Sequence, residues 1–173
     1  MNPSLTSLYV FRLLPLLLLG LLTWSAPTPR VQAQEQPKPG PEHRKMEMYV
    51  GKWTYQGSGD ATPFGPAGKF KGKATNRLVL GGFFLESRDE DTGDSGYIFQ
   101  SIGFRGYDPV NRTYFGIGFE NDGRETSATA TLSGNTWTSV GVRKDAKGIS
   151  YKTRNVETYL PDGKTSTWVA EYS

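Results

Sequence analysis

The sequence predicts an all-β fold, an antiparallel up-and-down β-barrel of about eight or nine strands with a short N-terminal helix as its plug. Three observations predict it. Turn signals recur roughly every 10 to 15 residues after Gly51, which is hairpin spacing. They run Asp60 to Gly68, Gly81-Gly82, Asp91 to Gly96, Asp108-Pro109-Val110-Asn111, Asn121-Asp122-Gly123, Ser133-Gly134-Asn135, Asp145 to Gly148 and Pro161-Asp162-Gly163. Pro presets the first central turn position, and Asn, Asp and Gly tolerate positive φ. Between these signals the residues alternate. Phe115, Ile117 and Phe119 point one way, Tyr114, Gly116 and Gly118 the other; Trp168, Ala170 and Tyr172 alternate with Thr167, Val169 and Glu171. Finally, no βαβ spacing occurs, so neighbouring strands pair antiparallel. Closing such a meander into a barrel removes its edges.

Ahead of the strands come two segments outside the fold. Residues 1–33 read as a secretory signal peptide. Arg12 is its basic part, Leu13 to Leu22 its apolar run, and Val31-Gln32-Ala33 a small-x-small cleavage site, with cleavage after Ala33. The apolar run is about half of the roughly 20 residues a transmembrane helix needs. The protein is therefore expected to be exported, periplasmic or extracellular, with no stable membrane insertion after cleavage. Residues 34–42 carry Pro37, Pro39 and Pro41 among polar neighbours, a disordered linker. The domain is then 43–173. The sequence has no Cys, so neither acylation nor disulfides anchor it, and the domain stands on its core alone.

Charge excludes one class of partner. The whole chain carries a formal +3, but the leader holds Arg12 and Arg30 and no acid. Removing it takes Lys+Arg from 20 to 18 against 17 acids, a mature charge of about +1. Nucleic acid would call for a basic face with interleaved aromatics. Lys69, Lys71 and Lys73 share one strand face, which reads as an ordinary solvated face that discourages edge pairing. No nucleic-acid partner is expected.

Glu42 to Val50 is the plug helix. Met46, Tyr49 and Val50 fall at i, i+3 and i+4, one helical face, and Gly51 stops the helix. At Gly51-Lys52-Trp53 the pattern changes to alternation. A barrel of this size has an open end. Gly51 lets the backbone turn sharply from helix to strand. Trp53, the first large inward residue, then sits on the barrel floor against the helix. Gly51 and Trp53 are the expected structural plug residues.

Gly-x-Trp at the start of the first strand is also what lipocalins show. Behind it, three further elements follow in order. They are Leu78-Val79-Leu80-Gly81-Gly82-Phe83-Phe84-Leu85, Gly103-Phe104-Arg105-Gly106-Tyr107-Asp108-Pro109, and the strand opening Asn111-Arg112-Thr113-Tyr114. With His43 and the Met-rich turn leading into Val50-Gly51-Lys52-Trp53, this order resembles the DUF1579 family of uncharacterised, mostly bacterial proteins. The resemblance covers about Glu42 to Ser173. It implies a lipocalin-like barrel and no activity or catalytic residues. Relatives continue past the strand that ends at Tyr172-Ser173. Two alternatives stay open, a barrel without its closing strand or a truncated chain.

Few residues carry chemistry. His43 is the only histidine, and it lies in the plug helix, where a structural role binding the adjoining loop is expected. A Ser-His-Asp triad or a histidine metal site would need it in the cavity. Haem-binding barrels such as nitrobindin take an axial histidine from the wall, and these strands contain none; no cofactor and no metal are expected. The acidic run Glu86 to Asp94 lacks the spaced ligands of a calcium loop and reads as a solvated hairpin tip. Gly103-x-x-Gly106 and Gly116-x-Gly118 mark bends or bare backbone under a bulky neighbour. Asn111-Arg112-Thr113 matches a glycosylation sequon inside a turn that needs no such explanation.

The strands hold many aromatics, which read either as core or as the lining of a pocket. Arg77, Glu86, Arg88, Arg105, Glu120, Arg124, Arg154 and Glu157 are charges that alternation turns inward or outward; inward ones must pair or meet a ligand. Small residues at Gly116, Gly118, Ala128 and Ala130 leave space. The reading preferred on this basis is a binding module. It holds a small hydrophobic or amphipathic ligand with one polar or anionic end, and Tyr114 and Arg105 are among the lining groups. The alternatives are a metal-independent enzyme of isomerase or lyase type, using Tyr, Arg and carboxylate in the cavity, and a filled barrel acting through its surface.

Overall fold

The computed structural model describes residues 35–173; the expected leader and its cleavage site lie outside them. Nine strands follow one another: β1 (Gly51–Gly59), β2 (Gly68–Val79), β3 (Phe84–Gly93), β4 (Ile98–Asp108), β5 (Thr113–Glu120), β6 (Glu125–Ser133), β7 (Thr136–Lys144), β8 (Ser150–Tyr159) and β9 (Ser166–Tyr172). They form one sheet in chain order, every pair antiparallel. The turns sit where the turn chemistry placed them. Between β4 and β5, for example, Asp108 Oδ1 accepts from the backbone N–H groups of Val110 (2.8 Å) and Asn111 (3.2 Å).

The sheet curls on itself as a barrel-like half-barrel. No ladder joins β1 to β9 among the described residues. Side chains bridge the seam instead. Phe70 lies 6.0 Å from Trp168 and Trp53 lies 5.9 Å from Tyr159, ring centre to ring centre. Phe64, in the loop between β1 and β2, lies 5.0 Å from Tyr172.

The plug differs from the expected single helix. Helix α1 (Pro41–Arg44) begins inside the segment expected to be linker, with Pro at its first position. His43 Nδ1 accepts the Gly40 N–H at 3.2 Å, and its ring stands edge-on to Phe83 and Tyr107. A 3-10 segment, Lys45–Tyr49, follows. Three residues per turn bring Met46 and Tyr49 onto one face, and both are buried completely or nearly so. Val50, expected on that face, is already extended and is 45% exposed, because the tighter helix swings the i+4 position away.

Gly51 follows with φ +139°, a backbone region that side chains rarely adopt. It aims β1 back along the plug. The Trp53 indole N–H then donates to the Tyr49 carbonyl at 2.9 Å, and Asn76 Nδ2 donates to the same oxygen at 3.0 Å. The last carbonyl of the plug, an orphan of helix geometry, is thus tied to β1 and β2.

The acidic run is not a hairpin tip, since β3 extends to Gly93. Alternation sorts it by face. Glu86 and Glu90 turn outward to Arg77, Arg88 and Lys73, while Asp89 and Asp91 turn inward.

Candidate functional site

The interior has three levels. At the plug end Met46 and Tyr49 pack with Leu85, Tyr114, Trp137 and Tyr159 in the buried core. Tyr49 stands edge-on to Tyr159 (4.8 Å) and Trp137 (5.7 Å), the geometry aromatic quadrupoles favour. Several of the strand aromatics, open from sequence to reading as core or as pocket lining, gather here and fill this end, and Trp137 also borders the cavity below. Burial raises the hydroxyl pKa of Tyr49 and Tyr159 far above the usual tyrosine value, so both stay neutral.

Beneath the plug the interior opens into a cavity of about 260 Å³. The register explains the space. Arg105 on β4 pairs across the sheet with Gly116, Gly116 with Ala128, and Ala128 with Gly141. Directly paired residues share a face, so this row is bare floor. Gly103 beside Gly118 adds to it. Around the floor stand Ser87, Asp89, Ser101, Ser139, Thr153 and Asn155, a predominantly polar wall.

Arg105 heads the cavity. Its guanidinium lies 4.8 Å from the centre of the Tyr49 ring and 5.5 Å from that of Trp137. Nη1 approaches Glu157 Oε2 at 3.6 Å, beyond hydrogen-bond reach, and has no hydrogen-bond partner among the described residues. Glu157 is itself held by Tyr159 Oη (3.1 Å) and Ser166 Oγ (3.2 Å). Burial opposes the Arg105 cation, but Glu157, Tyr49, Tyr159 and Asp89 outweigh it and hold the pKa above its ordinary value.

Asp89 faces Arg105 across the cavity level. Burial raises its pKa, against the Ser101 Oγ hydrogen bond (3.2 Å) and the charge of Arg105. A carboxyl whose folded pKa is raised stabilises the fold fully below its unfolded pKa and loses that contribution as pH rises through the folded value. Wild-type stability should therefore fall relative to Asp89→Asn as pH climbs from 3.8 upward. Thermal midpoints of the two proteins over a pH series measure this. Curves that run parallel would contradict it.

At the far end, Phe64 packs against two of the residues that border the cavity, Arg143 and Tyr172. It is 9% exposed and rests on Tyr151, Tyr172 and the guanidinium of Arg143, 4.2 Å from its ring centre. Arg143 is ion-paired with Glu120, which also meets Arg124 at 3.4 Å; Arg124 pairs with Asp122 as well.

Of the lining residues expected from sequence, Arg105 lies at the cavity, with Gly116, Gly118, Ala128 and Ala130. Tyr114 does not. It is 4% exposed in the plug core, and its hydroxyl donates to the Glu42 carboxylate at 2.6 Å. Asp89, Ser101, Arg143 and Phe64 were not anticipated. The first three follow from extending the alternation of Leu85, Arg105 and Gly141 along their strands. Phe64 sits in an irregular loop that carries no periodic signal.

Among the described residues no group of three His, Cys, Asp or Glu side chains is placed to hold a metal ion, and no helix is long and apolar enough to cross a membrane. No curated protein and no solved structure matches the chain. A family model does match it over residues 38–170, from just before the plug into β9, and by that match the chain belongs to DUF1579, a family described as of unknown function.

Proposed function

We propose that the chain is an exported binding module that holds one small amphipathic molecule in its interior. The body of the ligand rests on the bare floor at Gly116, Gly118 and Ala128. An anionic or other acceptor end meets Arg105. Export rests on the leader pattern in residues 1–33.

The observation that carries the reading is the Arg105 guanidinium at the head of a cavity of about 260 Å³, with one nitrogen lacking a hydrogen-bond partner. A buried donor left unmade costs free energy, and an acceptor brought by a ligand recovers it. A small-molecule site needs a few placed polar groups to fix orientation, and Arg105, Asp89 and Ser101 stand around this cavity to supply them.

Thermal-shift measurements with aromatic carboxylates and short fatty acids test it. A compound at one hundred times its dissociation constant should add about 2.7 kcal/mol of stability. Gly116→Val should remove the shift and still fold, because a Cβ there meets only the Phe104 carbonyl at 3.8 Å. If no compound shifts wild type, the interior is not a site for such ligands, and action through the surface becomes the better reading.

A further inference from the structure

An antiparallel sheet with one buried face ordinarily puts apolar residues inside and polar ones outside. Where they line the cavity, strands β4 and β5 do the reverse. Their inner faces present Arg105, Gly116 and Gly118 to the cavity. Their outer faces present Ile102, Phe104, Phe115, Ile117 and Phe119.

The register sets these in rows. Ile102 lies beside Phe119, and Phe104 beside Ile117. In the next row Phe84 and Phe115 fold over Gly106, their ring centres 6.2 Å apart. Beyond Ser127 and Thr129 on β6 come Val142 and Val140, 48% and 51% exposed; Phe119 is 45% exposed. The stripe is a patch and not a belt. The outer face of β2 carries Lys69, Lys71 and Lys73, and that of β3 carries Glu86, Arg88 and Glu90. A lipid-spanning barrel would be apolar all round. Exposed apolar patches of this kind mark association surfaces.

We propose that this stripe is the contact face of a homodimer, two copies stacking outer face to outer face about a two-fold axis. Charge selects a second copy as the occupant. The row through Ile102 and Phe119 begins at Arg88 on β3 and ends at Glu125 on β6. A two-fold axis lying in the interface, parallel to the strands and midway between β4 and β5, reverses that row. Ile102 of each copy then meets Phe119 of the other. Arg88 of each copy meets Glu125 of the other, twice by symmetry. The row is thus complementary to itself in shape and in sign. Arg88 spends Nε on Glu86 (2.8 Å) and remains 60% exposed, so its other nitrogens are available for a second carboxylate. An axis across the strands would instead bring like charges together, which disfavours that arrangement.

Sedimentation equilibrium of the purified protein should give twice the chain mass. Phe119→Lys should give the monomer, with an unchanged far-ultraviolet circular dichroism spectrum. Arg88→Glu and Glu125→Arg should each raise the dissociation constant about tenfold or more, since each places like charges at both ends of the row. Mixing these two variants should restore the dimer, because only the mixed pair brings opposite charges together at both ends. A wild-type protein that stays monomeric at every concentration overturns the proposal. So does a dimer that ignores all three substitutions, and so does a monomer that co-sediments with phosphatidylcholine vesicles through the stripe.

Discussion

Replacing Tyr49 by alanine should cost the domain about 3–5 kcal/mol, the range for removing a large buried aromatic. Tyr49 is 1% exposed in the buried core. Its ring holds Tyr159 and Trp137 edge-on and roofs the Arg105 guanidinium. Alanine keeps the backbone carbonyl that Trp53 and Asn76 bind, so the loss reports the ring. Tyr49→Phe separates ring from hydroxyl. The hydroxyl is buried and has no hydrogen-bond partner among the described residues. Removing an unpaired buried polar group is neutral or stabilising. Urea unfolding of both variants measures the contrast. An alanine variant within about 0.5 kcal/mol of wild type, as for an ordinary surface change, would mean that the plug does not hold this end of the sheet.

The second large effect is expected at Gly141, and it contrasts with Gly116 in the same cross-strand row. A Cβ at Gly141 would lie 2.1 Å from the Ser127 carbonyl oxygen and 2.9 Å from the Ala128 Cβ. Both belong to β6, the ladder partner of β7, so relief requires the two strands to part. Gly141→Ala should therefore reach or pass ~3 kcal/mol, the upper range for overpacking. Gly116→Ala meets nothing closer than 3.8 Å and should cost little or stabilise slightly, because alanine narrows the unfolded ensemble. Chemical denaturation of the pair decides it. Equal stabilities would show that β6 and β7 approach less closely at this point.

The strand order and turns were legible in the sequence, because turn chemistry is local and each signal needs only its own few residues. Faces were harder. Alternation along β5 separates Phe115, Ile117 and Phe119 from Tyr114, Gly116 and Gly118, but hydrophobicity suggests the wrong set as interior. The inner side of β5 is bare because Arg105 and its neighbours need the room. Charged residues were ambiguous for the same reason. Arg105 and Glu157 turn inward as a loose pair, while Arg77, Glu86 and Arg88 form an outward cluster. The plug was placed to within a few residues, but its 3-10 geometry was not, and that geometry decides that Met46 and Tyr49 are buried and Val50 is not. Phe64 could not be assigned a role, because its contacts with Arg143, Tyr151 and Tyr172 come from strands far along the chain.

The seam between β1 and β9 gives the sheet a mechanical property that a closed barrel lacks. A ring of hydrogen-bonded strands is a hoop, whose circumference is fixed by the number of ladders. A curled sheet held at its ends by Phe70 on Trp168, Trp53 on Tyr159 and Phe64 on Tyr172 is a bow, and its radius changes when those rings slide apart. Sliding them breaks no backbone hydrogen bond. Its cost is the apolar contact area released, at about 25 cal/mol per Å². The interior is therefore elastic in volume. For the ligand proposed above, a body somewhat larger than the resting cavity would then meet a gradual penalty in place of a steric limit, and selectivity would come from the polar groups at Arg105 and Asp89 more than from size.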